Sequence, residues 1–379
     1  MNKESSMNKL GFGFMRLPLT DPHNDASIDM ALVERMVDAF FKAGYTYCDT
    51  AWMYHDFLSE PAVGKAVVGR YPRDRFTVAT KMPVAMIRSH EEGVKIFQAQ
   101  KEKLGVDFFD YYLVHDMNVS NYESAKKYDI INYLRGRKEA GEILRLGFSC
   151  HDTAEHLERV LTECPFFEFV QLQINYLDWE SEGIQSRKCY EVCVKHGKPV
   201  IVMEPVKGGT LAKVPAPVLS MMREMHPDWS PASWALRFAA SLPSVQVVLS
   251  GMSTLEQLTE NAALFAGMEP LTEEELALLT RAASMMRETT AIPCTGCRYC
   301  VEESKCPKGI PIPNYFALYN TEKLKEDGGW SPEREYYSLY LEHGCGKASD
   351  CIACKKCERV CPQHIGISSW MKEVAEVLE

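Results

Sequence analysis

Eight short apolar runs recur along this chain, and an amphipathic stretch follows nearly every one. The runs are "LGFGFMRLP", "YTYCDTA", "FTVATK", "DYYLVHD", "LRLGFS", "FVQLQINY", "PVIVMEP" and "VQVVLSG". They are rich in β-branched and aromatic residues and mostly lack strict alternation, which suits strands of a parallel sheet buried on both faces. The intervening segments read as helices. "SIDMALVERMVDAFFKAG" sets Ile28, Leu32, Met36 and Phe40 on one face and stops at Gly44. "HEEGVKIFQAQKEKLG" stops at Gly105 and "SRKCYEVCVKHG" at Gly197. "SPASWALRFAASLP" opens on Ser230 as cap with Pro231 in the first turn, and "STLEQLTENAALFAG" follows the last strand. Eight strand–helix units over roughly 265 residues predict an α/β fold, a closed (β/α)8 TIM barrel. A doubly wound open sheet is the runner-up, weakened because no Gly-rich dinucleotide fingerprint follows the first strand.

The barrel does not use up the chain. Of 379 residues, 1–270 are assigned to it and 271–292 to a connecting helix, where Thr272 and Glu275 form a capping box. Residues 293–379, which carry two runs of closely spaced cysteines, are assigned to a small, mainly α-helical, ferredoxin-like iron–sulfur domain. The apolar share is 46% and the net charge −10, with no basic stripe, which excludes nucleic acid as a partner. "MNKESSMNKLGFGFM" has no apolar signal core and no run reaches membrane-spanning length, so no membrane partner is expected and a cytoplasmic location is. Nine of the fourteen cysteines lie from Cys294 onward, which favours metal binding over a disulfide scaffold.

Barrel chemistry sits at the C-terminal ends of strands. Asp49 ends the second strand, Tyr54 lies in the loop after it, Lys81 ends the third and His115 the fourth. Consecutive strands are neighbours, so the four should converge. A tyrosine near pKa 10 is a poor acid at neutral pH, and a nearby lysine should lower that value. Asp49 would orient Lys81, His115 would hydrogen-bond a carbonyl oxygen, and Tyr54 would pass the proton. Each residue singly has an ordinary reading, as helix cap or core histidine; the set of four is what points to chemistry. Cys48 alternates away from the mouth and reads as a small buried hydrophobe, as do Cys164, Cys189 and Cys193. Trp52 and Trp179 are candidate pocket walls.

"YTYCDTAWMYHDFLSEPAVGKAV", "VATK" and "YYLVHD" resemble the aldo-keto reductases, and "LRLGFSCH", "FVQLQINY", "VMEPVKGGTL" and "VLSGMSTLEQLTENA" resemble family segments in the same order, over about residues 8 to 268. The resemblance implies a catalytic tetrad of Asp49, Tyr54, Lys81 and His115. It implies NADP(H) or NAD(H) across the mouth, with Ser149 and Gln171 on the nicotinamide amide. Pro205, Lys207, Gly209 and Leu211 would wrap the pyrophosphate, and Gly251, Gln257 and Asn261 would face the adenosine. Met203 stands where many members stack an aromatic ring, and Cys150 where many have Asn. Gly251 and Gln257 stand where many clasp a 2′-phosphate, which leaves NADP against NAD open.

The tail carries "CTGCRYCVEESKCP" and "CIACKKCERVCP". Two-residue gaps bring three thiolates onto one loop, and the fourth cysteine, before proline, ligates the other cluster when two runs are present. One [4Fe–4S] cluster is thus assigned to Cys294, Cys297, Cys300 and Cys361, the other to Cys351, Cys354, Cys357 and Cys306, resembling a two-cluster ferredoxin domain. The first run has five residues, not three, before its fourth cysteine, and Cys345 is a spare. Structural zinc is the alternative, disfavoured by the third closely spaced cysteine. "PIPNYFALYN" and "SPEREYYSLYLEHG" read as two aromatic-rich helices over the clusters.

Hydride moves two electrons and a cubane one, so a flavin is a further cofactor candidate, although no flavin motif is visible. The favoured reading is an oxidoreductase interconverting a small carbonyl and an alcohol. Its clusters would serve electron exchange with an external carrier such as ferredoxin or flavodoxin. The alternatives are a redox sensor or electron-transfer module with the barrel as scaffold, and a non-redox lyase or epimerase.

Overall fold

The structure, a computed structural model, describes residues 9–21, 24–288, 291–292, 294, 299–302, 304–323, 331–361 and 365–379. Eight parallel strands close into one barrel in sequence order. They are β1 (Leu10–Gly13), β2 (Tyr47–Asp49), β3 (Thr77–Met82), β4 (Phe109–Val114), β5 (Ile143–Cys150), β6 (Val170–Gln173), β7 (Val200–Met203) and β8 (Val245–Ser250). Each matches one of the eight apolar runs. β8 returns to β1 with Leu10 opposite Val248, and closure leaves no edge strand to protect.

Alternation along the strands divides inside from outside. Tyr47, Ala79, Leu113, Phe169, Ile201, Val247 and Leu249 form a compact plug in the barrel interior. Gly11 belongs there because a Cβ would come within 2.7 Å of the Leu249 and Val247 side chains. Two residues further along several of these strands, the inward positions turn polar: Asp49 after Tyr47, Lys81 after Ala79, His115 after Leu113, Gln171 after Phe169. The other set of side chains, Cys48 among them, packs outward against the helices.

The helices of nine residues or more are α1 (Met30–Lys42), α2 (His90–Leu104), α3 (Val119–Lys127), α4 (Ile130–Glu139), α5 (Ala154–Glu163), α6 (Ser186–Lys195), α7 (Ala216–Met225), α8 (Pro231–Ser241), α9 (Leu255–Ala266), α10 (Glu273–Glu288), α11 (Ile312–Glu322), α12 (Pro332–Glu342) and α13 (Ile367–Leu378). Their ends follow local chemistry. Ser89, Ser230 and Thr254 cap α2, α8 and α9 through their hydroxyls. Gly105 ends α2 in the left-handed region, φ 70°. Both halves of the Thr272–Glu275 box form, at 2.7 Å and 3.3 Å. α1 buries Val33, Met36, Val37 and Phe40 completely, each contributing about 1.5–3 kcal/mol of hydrophobic stabilisation. α10 joins the same core through Leu278, Leu279, Ala282, Ala283 and Met286.

A separate apolar core holds the tail. Tyr315, Phe316, Tyr319, Tyr336, Tyr337, Met371 and Val374 from α11, α12 and α13 meet there. The barrel segment 182–184 reaches into it. Ile184 is part of this core, Asn314 Nδ2 donates to the Glu182 carbonyl at 3.1 Å, and Tyr340 Oη donates to the Gly183 carbonyl at 3.0 Å. α12 lies across the barrel mouth, where Pro332, Glu335, Ser338, Leu339 and Glu342 line the central cavity. No helix among the described residues is long and apolar enough to cross a membrane.

Candidate active site and cysteine recess

The mouth opens into a cavity of about 680 Å³. Asp49, Tyr54, His115, Gln171, Met203 and Gly251 line it, and Lys81, 1% exposed, is paired with Asp49. The backbone fixes these groups strand by strand. Thr50 N donates to the Ala79 carbonyl at 2.9 Å, and His115 N to the Met82 carbonyl at 3.0 Å. Lys81 Nζ donates to Asp49 Oδ1 at 2.6 Å and to the Thr50 carbonyl at 2.8 Å. It lies 5.0 Å from the Tyr54 ring centre. The Tyr54 and His115 rings meet edge-on at 6.1 Å. Behind β3, Gln100 Nε2 donates to the Lys81 carbonyl at 3.0 Å and to Glu60 Oε1 at 2.6 Å, bracing the strand from outside.

Tyr54 is held by strain. His55, Asp56 and Phe57 follow it with φ of 51°, 50° and 70°, a left-handed turn that costs non-glycine residues roughly 1–2 kcal/mol each. The His55 ring offsets this. Leu17 N donates to its Nε2 at 3.1 Å, so Nδ1 carries the proton and donates to the Asp25 carbonyl at 3.0 Å.

The electrostatics depart from the sequence expectation at Tyr54. Burial raises its pKa, the Lys81 ammonium pulls it back, and the Asp49 carboxylate raises it again; the net shift is upward, not downward. Burial would lower Lys81, but Asp49 and Tyr54 outweigh it and raise it, which keeps the ammonium charged. Burial pushes the Asp49 carboxyl up against the pull of Lys81 and of the Lys81 and Gln171 hydrogen bonds. His115 is driven well below its ordinary value by burial, Lys81 and His151, so its imidazole is neutral.

The residues expected to hold a dinucleotide are dispersed. Gln171 Nε2 donates to Asp49 Oδ2 at 3.2 Å, and Ser149 Oγ accepts from Asp116 N at 2.8 Å. Pro205 and Leu211 are buried, and Gly209 turns at φ 100°. Gln257 is exposed in the first turn of α9, while Asn261 Nδ2 donates inward to Ser250 Oγ at 3.1 Å. Lys207 is neither a solvated lysine nor free for a phosphate. It is 1% exposed and paired with Asp178 at 2.8 Å and with Glu333 of α12 at 2.7 Å. The docked tail supplies the second carboxylate, which local sequence does not announce.

Trp52 and Trp179 do not line the cavity either: Lys103 Nζ sits 3.5 Å over the Trp52 ring, and Trp179 packs edge-on to Phe238. Arg16, His55, His151, Glu204, Glu335 and Glu342 do line it, and sequence reading passed over them. Arg16 and His151 follow β1 and β5, so the strand-end rule that found Lys81 would have found them.

In the tail, Cys306, Cys351, Cys354 and Cys357 line one small recess, walled by Ile310, Ile312, Ile367 and Met371. Ala353 and Lys355 take φ of 51° and 57°, curling the loop between the three closely spaced cysteines. Burial, then the neighbouring charges, raises the Cys357 thiol to about 11. Four sulfurs in an apolar shell fit a thiolate-ligated cluster. Cys294, Cys300, Cys345 and Cys361 pack against the tail core, and Cys297 lies outside the described residues. None of the described cysteines is disulfide-bonded.

The profile of the Aldo/keto reductase family matches residues 9–284, and that of a 4Fe-4S dicluster domain matches 293–365. An aldo-keto reductase of Mycolicibacterium smegmatis is 30% identical over 250 residues, 65% of this chain and 80% of that protein. Among solved structures, the holo form of an aldo-keto reductase from Bacillus halodurans superposes with a TM-score of 0.57 at 23% identity, over 72% of this chain and 91% of that one. An aldo-keto reductase from Klebsiella pneumoniae in complex with NADPH gives 0.55 at 22%, over 72% and 90%. At these identities the two structures speak for the fold.

Proposed function

The chain belongs to the aldo/keto reductase family, and from that premise we propose that its barrel interconverts a small carbonyl and an alcohol, with Tyr54 as the proton-transfer group. The carrying observation is the convergence of Tyr54, His115 and Asp49 on one cavity, with Lys81 paired to Asp49 behind them. When bound, a nicotinamide, NADP(H) or NAD(H), would supply or accept the hydride at the substrate carbon. The protein does the rest. Neutral His115 donates a hydrogen bond to the carbonyl oxygen. Tyr54, protonated because its pKa is raised, gives its proton to that oxygen. Lys81 stabilises the phenolate left behind, Asp49 holds Lys81, and solvent returns the proton. In the alcohol-oxidising direction Tyr54 must start as phenolate, so oxidation should gain on reduction as pH rises. Ser149, Gln171, Met203 and Gly251 are proposed to hold the nicotinamide half, and the segment from Pro205 to Leu211 with Gln257 and Asn261 the remainder, Lys207 acting as anchor.

Tyr54→Phe should cut turnover about 10²–10⁴-fold while NADPH titration of fluorescence stays as in wild type. Full activity of that variant on a confirmed substrate would sink the reading.

The tail is proposed to bind two [4Fe–4S] clusters, through Cys306, Cys351, Cys354 and Cys357 and through Cys294, Cys297, Cys300 and Cys361. Each would exchange single electrons with a partner such as ferredoxin or flavodoxin. Iron and sulfide counts with EPR on anaerobic protein test this; fewer than about six irons per chain would contradict two cubanes. The redox-sensor reading gains from one observation: Lys207 is sealed, and Gly251 and Gln257 put no charge where a 2′-phosphate would sit. Failure of both nicotinamides to bind would favour it.

A further inference from the structure

The cavity has a wall that no barrel strand supplies. Glu335, Ser338, Leu339 and Glu342 are spaced i, i+3, i+4 and i+7 along α12, one stripe of a helix, and all four line the mouth. Opposite them, Asp116 follows His115 directly, with Asn118 and Asn121 beside it in the cavity lining. The composition of this side is one-sided. Six carboxylate residues line the cavity and one permanent cation, Arg16, which is 3.5 Å from Glu204. Lys81 is already paired with Asp49 at 2.6 Å. Among the described lining residues carboxylates therefore outnumber permanent cations six to one.

Asp116 is the most exacting member. Asn118 Nδ2 donates to its Oδ2 at 2.9 Å, whereas its Oδ1 is buried and has no hydrogen-bond partner among the described residues. An orphaned buried carboxylate oxygen costs free energy until something donates to it. Its backbone sits at φ 47°, a strained setting that tends to mark functional positions. Burial, and then the neighbouring Asp152, Glu342 and Glu335, push the Asp116 carboxyl up to about 7. Burial and Asp152 raise Glu342 as well. Asp152 has its own counter-charge in His343 at 2.6 Å; Asp116, Glu335 and Glu342 face the cavity.

We propose that the substrate of this site carries a protonated amine, received between Asp116 on the barrel and Glu335 and Glu342 on α12, so that the iron–sulfur tail takes part in selecting the substrate. The inference rests on the carbonyl–alcohol reading for the reacting end of the same molecule. An ammonium supplies the missing donor to Asp116 and cancels repulsion among three carboxylates. A neutral polyol would supply the donor and leave the repulsion.

Three aldehydes on one ring test the idea on the anaerobic holoenzyme with NADPH and NADH: 4-[(dimethylamino)methyl]benzaldehyde, 4-(hydroxymethyl)benzaldehyde and 4-formylbenzoate. The amine should lead the neutral aldehyde at least about tenfold in kcat/KM, with the anion last. In the Glu335→Gln/Glu342→Gln double variant, both sites being exposed on a helix, the amine-to-neutral ratio should fall about tenfold, through KM. A wild-type ratio near one, or a ratio the double variant leaves untouched, overturns the proposal while the carbonyl reading stands. Calorimetry with N,N-dimethylbenzylamine reads the cation site without turnover. Binding that the double variant weakens tenfold supports the proposal even if no aldehyde reacts, the outcome that would sink the carbonyl reading alone. Binding no tighter than that of benzyl alcohol overturns it.

Discussion

Two lysines of this barrel are each 1% exposed, and they are built for opposite ends. Lys81 answers one carboxylate, Asp49, at 2.6 Å, and lies beside Tyr54, both of which line a large cavity. Lys207 answers two carboxylates, Asp178 and Glu333, brought from separate segments, and is sealed beneath the tail. Both are raised above the ordinary lysine value because carboxylates outweigh burial. The difference lies in what remains unsatisfied. The Lys81 pair still has a phenol beside it and water or substrate above, so its charge can respond to a proton moving. Gln173 and Asn175 donate to the Asp178 carboxylate at 2.9 Å and 2.7 Å, so the Lys207 site is closed on every side. An ion pair at the cavity is arranged to do chemistry; one under the tail is arranged to fix a helix.

Removing each cation should separate these roles. Lys81→Met should lower turnover about 10²–10⁴-fold, with a smaller loss of stability, since Asp49 borders the cavity and can take up a proton. Lys207→Met removes the cation that Asp178 and Glu333 share inside the protein. It should cost about 3–5 kcal/mol in denaturant unfolding and speed hydrogen exchange in α12. If Lys207→Met proved nearly neutral in stability and Lys81→Met the more destabilising of the two, the contrast between the sites would be reversed.

Glu333→Gln sharpens the same contrast. Lys207 keeps Asp178, and the amide keeps a hydrogen-bonding oxygen, so the expected cost is about 1–3 kcal/mol. A cost equal to that of Lys207→Met would mean that Asp178 contributes nothing and that the tail alone holds the lysine.

How far these features were visible beforehand follows from their range in sequence. The eight strands were legible because each apolar run is bounded by its own cap or turn, as at Ser230 and Gly105. Asp49, Lys81 and His115 were legible because they end consecutive strands, and topology converts order into proximity. The direction of the Tyr54 shift was not, because it depends on how deeply the folded mouth buries the phenol. Lys207 was misread because its second partner sits on a helix far along the chain, and nothing near "VKGGTL" announces it. The stripe from Glu335 to Glu342 has readable helical spacing, but which wall it faces emerges only once Gly183 and Tyr340 have docked the tail. Local chemistry could be read; the meeting of the two cores could not.

A further clamp between barrel and tail responds to pH. His343, just after α12, donates from Nε2 to Asp152 Oδ1 at 2.6 Å. That hydrogen bond is the main cause raising the His343 pKa above its usual value, against the opposing effect of burial. A histidine whose folded pKa exceeds its unfolded one adds stability in full below the unfolded pKa, and loses it as pH rises through the folded value. Tail docking should therefore be firmest below about pH 6.5, the free-histidine value, and should loosen above it. The histidine is partly exposed, so screening holds the effect under about 1 kcal/mol. Denaturant unfolding from pH 5.5 to 8.5 should show this decline in wild type and a flatter profile in His343→Gln. Unlike the Lys207 bridge, which stays charged across that range, the His343 pair is then adjustable; identical profiles in the two proteins would leave Lys207 as the pH-independent anchor and His343 without a part in docking.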